Sequence, residues 1–180
     1  MSQSVTEHRR DAPSSLSLAV MTVSDTRTLE TDSSGALIVS LAEAAGHRIA
    51  ERVIVQDEPD RMRPLLIEWS ARPDLSAILI TGGTGISPRD QTFETVSSLL
   101  TKPLSGYCEL FRMLSYAEIG PAAILSRAIG GLVGEVAVLV MPGSRAAVEL
   151  AMTRIILPEL SHIVREATKR SGRVDDVARP

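Results

Sequence analysis

One cysteine, Cys108, stands in the whole chain, and one Trp, two Tyr and two Phe are its only aromatic rings. A lone cysteine closes no intramolecular disulfide and builds no thiolate zinc cluster. So few rings make a poor platform for stacking nucleic-acid bases. A basic excess is lacking too: 19 Lys and Arg face 22 Asp and Glu, a net charge of −3. Proteins bind nucleic-acid polymers by displacing counterions with a basic face, so that partner is excluded. No apolar run nears the ~18 residues that a bilayer-crossing helix needs, which removes the membrane as a partner. The opening segment MSQSVTEHRRDAPSS lacks the apolar core of a secretory signal. A soluble, cytoplasmic protein is the expectation.

What is present is enough chain for one domain. At 180 residues it buries roughly 70% of its unfolded surface on folding. Residues 1–15 are polar and read as a flexible N-terminal arm. Residues 171–180, SGRVDDVARP, read as a flexible C-terminal tail, and 16–170 as the domain between them. Glu7 and Asp11 offset Arg9 and Arg10 in the arm; Asp175 and Asp176 offset Arg173 and Arg179 in the tail. The negative excess therefore lies in the domain. No repeat of 20–50 residues is visible.

Strand and helix signals alternate through that domain. LSLAVMTVS (16–24), RVIVQ (52–56), LSAILI (75–80) and EVAVLVM (135–141) are compact apolar runs, the pattern of strands buried on both faces. Asp32 or Ser33 is placed to cap a helix whose face carries Leu37, Ile38, Leu41 and Ala45, with Gly46 at its C′ position. Met62, Leu65, Leu66 and Trp69 mark a second helix, with Pro64 expected in its first turn or at its start. Shorter helical patterns hold Val96, Leu99 and Leu100, then Leu110, Phe111 and Leu114. Gly130, Gly131 and Gly134 form a second glycine cluster before the last strand. A final helix carries Val148, Ala151, Met152 and Ile155; Pro158 is expected to kink or break it before Leu160, Ile163 and Val164. Apolar pieces around 124–129 leave room for an antiparallel strand or hairpin. Such alternation implies an α/β fold, a three-layer αβα sandwich around a mostly parallel sheet.

Ligands of open α/β sheets bind beyond the carboxyl ends of the strands. Those ends are followed by Ser24-Asp25-Thr26, by Asp57-Glu58, by Thr81 to Asp90, and by Pro142-Gly143-Ser144. Any one of these reads as an ordinary turn; together they read as a polar binding edge. In Thr81-Gly82-Gly83-Thr84-Gly85 the glycines let backbone N–H groups face a ligand and form an anion-binding nest. A helix starting near Thr92 would add its dipole. No Gly-Lys-Ser/Thr follows, so this is not a P-loop, and Pro88 breaks the dinucleotide fingerprint. Asp57 and Asp90 beside a phosphate nest suit Mg²⁺, which takes one or two carboxylates plus phosphate oxygens and water. The competing reading pairs Asp90 with Arg89 or makes it a helix cap. His8, His47 and His162 have no metal-ligand spacing. Cys108 has no evident base beside it. Arg112 and Arg127 are candidate phosphate ligands, though each alone reads as solvated or ion-paired.

The run ILITGGTGISPRDQTFE resembles the MoaB/Mog family of molybdenum cofactor biosynthesis proteins, which includes the G domain of gephyrin-like proteins. TVSDTRTLETDSSG (22–35), AGH (45–47), ELFRMLSYAEIG (109–120), LSRAIGG (125–131) and MPGS (141–144) extend the resemblance over about 16–165. ELFRMLSYAEIG and the ending PGS look like the MoaB branch. The resemblance implies a molybdopterin-binding domain assembled as a homotrimer or homohexamer. It also implies transfer of AMP from ATP to the terminal phosphate of molybdopterin, ahead of molybdate insertion. Carried onto this chain, Asp57 and Asp90 match two essential aspartates, expected to be catalytic and to hold Mg²⁺. Gly82, Gly83, Thr84 and Gly85 would bind phosphates or pterin, and Ser126 matches a substrate-site serine. Ser24 and Asp25, with Pro142, Gly143 and Ser144, would line the nucleotide side. Thr81, Glu94 and Arg127 complete the expected substrate and nucleotide set.

Adenylyl transfer needs no protein nucleophile, since a substrate phosphate attacks. A site of glycines, hydroxyls and aspartates fits such a task of alignment and charge neutralisation. One departure stands out: where the family has Thr-Pro-Glu-Ala, this chain has Thr92-Phe93-Glu94-Thr95. A non-catalytic molybdopterin carrier of the same pathway is the alternative, and a gephyrin-like partner-binding scaffold is the third reading.

Overall fold

The computed structural model describes residues 13–169. Apart from 13–15, the expected arm and tail lie outside the described residues. The strands are β1 (Ser17–Val23), β2 (Arg48–Val55), β3 (Ala77–Thr81), β4 (Lys102–Pro103), β5 (Ile129–Val133) and β6 (Val136–Met141). They form one sheet in the order β2-β1-β3-β6-β5-β4. The first four in that order run parallel, and β5 and β4 run antiparallel at one side. The helices are α1 (Ser33–Ala44), α2 (Pro59–Ser70), α3 (Thr92–Ser97), α4 (Ser105–Ile119), α5 (Arg145–Ala151) and α6 (Leu157–Thr168).

Alternation along β1 sorts the layers. Leu18 and Val20 pack with Ile38 of α1, Phe111 of α4, Val148 of α5 and Leu160 of α6. Ala19 and Met21 face the other way, onto Met62, Leu66 and Trp69 of α2 and Val96 of α3. Both faces are thus covered, as the continuous apolar strands require. Each large side chain buried there contributes about 1.5–3 kcal/mol. This is the expected three-layer α/β sandwich.

Several local expectations change. β2 starts at Arg48, four residues earlier than its apolar core suggested. α2 begins at Pro59, so Pro64 lies inside the helix and not in its first turn. The carbonyl that its missing N–H would have met belongs to Asp60, an exposed residue that water can reach. Two glycines of the cluster, Gly130 and Gly131, lie within β5. A Cβ on Gly131 would stand 2.5 Å from the Lys102 carbonyl oxygen, and one on Gly130 would stand 2.8 Å from the Tyr107 ring. Only glycine lets β4 and α4 approach β5 that closely. Gly134, at φ +63°, makes the tight turn into β6. Pro158 does not break the last helix. Met152–Ile156 forms a π turn, and α6 continues directly from it with Pro158 in its first turn. The widened turn accommodates the proline's missing donor.

The sheet order fixes the site. From β1 the chain crosses to β2 on one side, and β3 lies on the other. The carboxyl ends of β1 and β3 therefore flank a topological switch point, where such sheets open a crevice.

Candidate functional site

The loops after β1, β2, β3 and β6 meet at this edge. Because β5 runs antiparallel to β6, its leading residues Ser126–Ala128 arrive there as well. The predicted site residues are thereby brought to one edge, where they sort into three neighbouring areas.

The first is a carboxylate corner. Asp57 is 5% exposed. Its Oδ1 accepts the Gln91 N–H at 3.0 Å and the Thr92 hydroxyl at 3.5 Å. Burial pushes its pKa above the ordinary 3.8; the Gln91 hydrogen bond opposes this, and the Asp90 charge adds to it. Asp90 accepts the Ser87 N–H on Oδ2 at 3.1 Å. Gly83 has φ +63°, and a Cβ there would collide with the Thr92 hydroxyl and the Asp57 carboxylate. A Cβ on Gly85 would stand 2.7 Å from Asp90 Oδ2. The two glycines are what let the loop wrap both acids. Arg89 does not pair with Asp90, one of the sequence readings. Its guanidinium grips Asp25 with two bonds, at 2.8 and 2.7 Å. Asp25 Oδ1 also accepts the Asp57 backbone N–H at 3.1 Å. Those hydrogen bonds, Arg89's first, hold the Asp25 carboxyl below its ordinary pKa.

The expected helix dipole at Thr92 is largely engaged within the protein. The Gln91 N–H meets Asp57, and the Thr92 N–H meets the Gly83 carbonyl at 3.0 Å. α3 holds the carboxylate corner in place and is not an open anion seat. Likewise the Gly82 N–H donates to Met141 at 3.2 Å, so it is withdrawn from the expected nest.

The second area is a pocket of about 150 Å³ between β1, β3 and the 142–144 loop. Ser24, Arg27, Ser33, Ser34, Gly82 and Gly143 line it. Gly82 has φ +96°, and a Cβ on it would strike the Val23 carbonyl oxygen. Ser34 Oγ donates to the Gly143 carbonyl at 2.8 Å, and Thr81 Oγ1 to the Pro142 carbonyl at 3.1 Å. Thr81 is fully buried, so its hydroxyl ties two loops together. The Ser24 hydroxyl accepts from the Thr26 and Arg27 N–H groups at 3.3 and 3.1 Å. Ser144 caps α5 by accepting the Ala147 N–H at 3.2 Å.

In the wall of this pocket lies a network of which the sequence revealed only the helix cap. Asp32, 3% exposed, caps α1 through the Gly35 N–H at 2.8 Å. It also accepts from Thr22 at 2.8 Å and from Arg52 at 3.0 Å. Burial alone would raise its pKa, but these three donors outweigh it and hold the carboxyl below 3.8.

The third area is a pocket of about 240 Å³ lined by Ser115, Ile119, Leu125, Ser126, Pro142 and Ser144 among others. Arg127 beside it is not a free cation. One terminal nitrogen donates to Glu94 Oε1 at 2.7 Å, and the guanidinium lies 4.4 Å over the Phe93 ring. Phe93 is half-buried against the core, the outcome for the residue that replaces the family proline.

Larger cavities, of about 330 and 340 Å³, lie away from this edge among Leu104, Tyr107, Leu110, Ile155 and Ile163, and their walls are mostly apolar. The edge is preferred on chemistry, since phosphate chemistry needs polar groups. His47 is buried, and its Nδ1 accepts the Leu16 N–H at 3.3 Å. Among the described residues no three His, Cys, Asp or Glu side chains gather into a metal cage, and no helix is long and apolar enough to cross a membrane. Mg²⁺ does not need such a cage. The acid pair Asp57 and Asp90 fits it, because two neighbouring carboxylates, one of them buried, present negative charge that a divalent cation would neutralise.

Fold and edge together define a class: a three-layer α/β protein with a polar edge for an anionic ligand at its switch point. A family model described as "Probable molybdopterin binding domain" matches residues 19–162. "Molybdenum cofactor biosynthesis protein B" of Halalkalibacterium halodurans is 52% identical over 92% of this chain and 98% of its own. The protein of the same name in Bacillus subtilis is 50% identical over the same shares. A crystal structure of tungsten cofactor synthesizing protein MoaB from Pyrococcus furiosus superposes with a TM-score of 0.76 at 34% identity, covering 88% of this chain and 100% of that one. The chain belongs to the molybdopterin-binding family of molybdenum cofactor biosynthesis proteins, on its B branch. Its role lies in that pathway.

Proposed function

We propose that this chain adenylylates molybdopterin with Mg-ATP, in the cytoplasm, before molybdate is inserted. The observation that carries this reading is the buried Asp57 carboxylate, held beside Asp90 under a glycine loop at the switch point. In the reaction an oxygen of the terminal molybdopterin phosphate attacks the α-phosphorus of ATP. The new P–O bond forms as the bond to the β-phosphate breaks, and pyrophosphate leaves. The chain's task is to align two polyanions and offset their charge. Ser24, Gly82 and the 142–144 loop would receive the nucleotide; Thr84, Gly85 and Ser126 would receive the pterin phosphate. Mg²⁺ held by Asp57 and Asp90 would supply charge neutralisation on the phosphate oxygens.

The test is formation of adenylylated molybdopterin by the purified protein. Wild type should make it, and Asp90→Asn should bind molybdopterin but not turn over. If wild type binds molybdopterin and forms no product with Mg-ATP, the chain is a non-catalytic carrier instead.

A homotrimer or homohexamer is part of the same proposal. Leu110, Met113, Tyr116 and Ile119 recur along α4 and are exposed, an apolar stripe beside the apolar cavities. Sedimentation should give a trimer or hexamer, and Met113→Glu should shift it toward monomer.

A further inference from the structure

Arg127 is the cation that the sequence offered to phosphate, yet one of its terminal nitrogens and the face of its guanidinium already have partners in the protein. Its guanidinium carbon stands over the Phe93 ring, 4.4 Å from the centroid, and one terminal nitrogen donates to Glu94 at 2.7 Å. Its Nε is buried. A phosphate reaching the nitrogen bound to Glu94 would have to displace that carboxylate.

The partners explain what the arrangement does. Phe93 and Glu94 sit in the first turn of α3. The two residues just before them, Gln91 and Thr92, are the ones that donate to Asp57 and reach back to Gly83. On its own strand side, Arg127 follows Ser126 in a tight turn, where the Ser126 N–H meets the Ala123 carbonyl and the Arg127 N–H meets the Leu125 carbonyl, each at 2.9 Å. Ala128, next along, is fully buried. A single side chain therefore joins the turn that presents Ser126 to the helix that holds Asp57.

We infer that Arg127 is a positioning residue that couples the Ser126 pocket to the carboxylate corner through Phe93 and Glu94. The inference rests on the site proposed above. A proline at position 93 would present no aromatic face for the guanidinium. Glu94 is half exposed, so the ion pair alone contributes little. Stacking on the ring is what orients the planar group.

The experiment measures molybdopterin affinity, thermal midpoint and AMP transfer in Phe93→Leu, Phe93→Tyr, Arg127→Met, Arg127→Lys and the Phe93→Leu/Arg127→Met double variant. Phe93→Leu and Arg127→Met should each weaken molybdopterin binding about fivefold to tenfold, a loss of roughly 1–1.4 kcal/mol. The double variant should be no worse than either single change. Phe93→Tyr should behave as wild type, and Arg127→Lys should fail to rescue. A phosphate-ligand role would give the opposite: Phe93→Leu neutral and Arg127→Lys near wild type, because lysine still binds phosphate as a point charge. That result overturns the inference. So does a fall in thermal midpoint with unchanged affinity, which marks a merely structural contact. Affinity is read without turnover, so a wild type that makes no product refutes the transferase reading and leaves this one to be decided.

Discussion

Asp32 and Asp57 are two carboxylates at nearly equal burial, 3% and 5% exposed, on the same edge of one sheet. Their surroundings are opposite. Asp32 receives a backbone N–H, a hydroxyl and a guanidinium, and its carboxyl is held below the ordinary pKa. Asp57 receives one good N–H bond and one long hydroxyl contact, faces the Asp90 charge, and is held above it. Burial sets the stakes for both, and the donors decide the outcome. A carboxylate whose donors are all supplied by the protein is a strut. One left short of donors beside another acid is poised for an external cation or a proton, and such groups gather at functional sites.

The largest expected break between them is functional. Asp57→Asn should lower the rate of AMP transfer by about 10²–10³-fold, measured as adenylylated molybdopterin formed per enzyme. Its thermal midpoint should rise, because a buried charge beside Asp90 is removed while the amide oxygen still accepts the Gln91 N–H. Asp32→Ala should do the reverse to stability. It strips a helix cap and leaves Arg52 without its acid, at a cost of about 3 kcal/mol. Calorimetry should show the midpoint falling by roughly 6–12 °C. Gly83→Ala should cost about 2 kcal/mol, since φ +63° and the close Asp57 carboxylate both oppose a side chain. The same change should also weaken turnover by displacing the Asp57 corner.

The smallest effects are those of pH. Asp32 stabilises the fold above pH 3.8, and that contribution is lost as pH falls through its lowered pKa. Asp57 works with the other sign. Its stabilising form is the protonated one, so its contribution is lost as pH rises from 3.8 through its raised pKa. The stability margin of Asp57→Asn over wild type should therefore open across that window and stay constant above it. His47 is a third, weaker case. Burial lowers its pKa below 6.5, so stability should decline as pH falls from 6.5 through the lowered value. Denaturant midpoints measured against pH check all three.

Much of this was legible in the chain. Strands buried on both faces announce themselves as unbroken apolar runs, and the strand-end rule then collects Ser24, Asp57, Gly82 and Pro142 at one edge. Asp32 was legible as a cap because its partner, Gly35, is three residues away. Its ion pair with Arg52 was not, because only the crossover from β1 through α1 to β2 brings the two together. The same holds for Arg89 with Asp25 and for Arg127 with Phe93. The first pair joins loops from two strands, the second joins the turn before β5 to α3, and no periodicity encodes either. Gly130 and Gly131 were legible only as a glycine cluster ahead of the last strand. Only the approach of Lys102 and Tyr107 explains glycine inside a strand. At Pro158 the local rule was right about the missing donor, and a π turn one step earlier absorbed it.

The most direct measurement is a carboxyl-carbon NMR titration that resolves Asp32 and Asp57 in the same wild-type sample, with and without Mg²⁺. Asp32 should titrate below 3.8 and ignore Mg²⁺. Asp57 should titrate above 3.8 and move downward when Mg²⁺ is added. An Asp57 that titrates at or below 3.8 and does not respond to Mg²⁺ would contradict the division between strut and poised acid, and with it the carboxylate corner as the reactive centre.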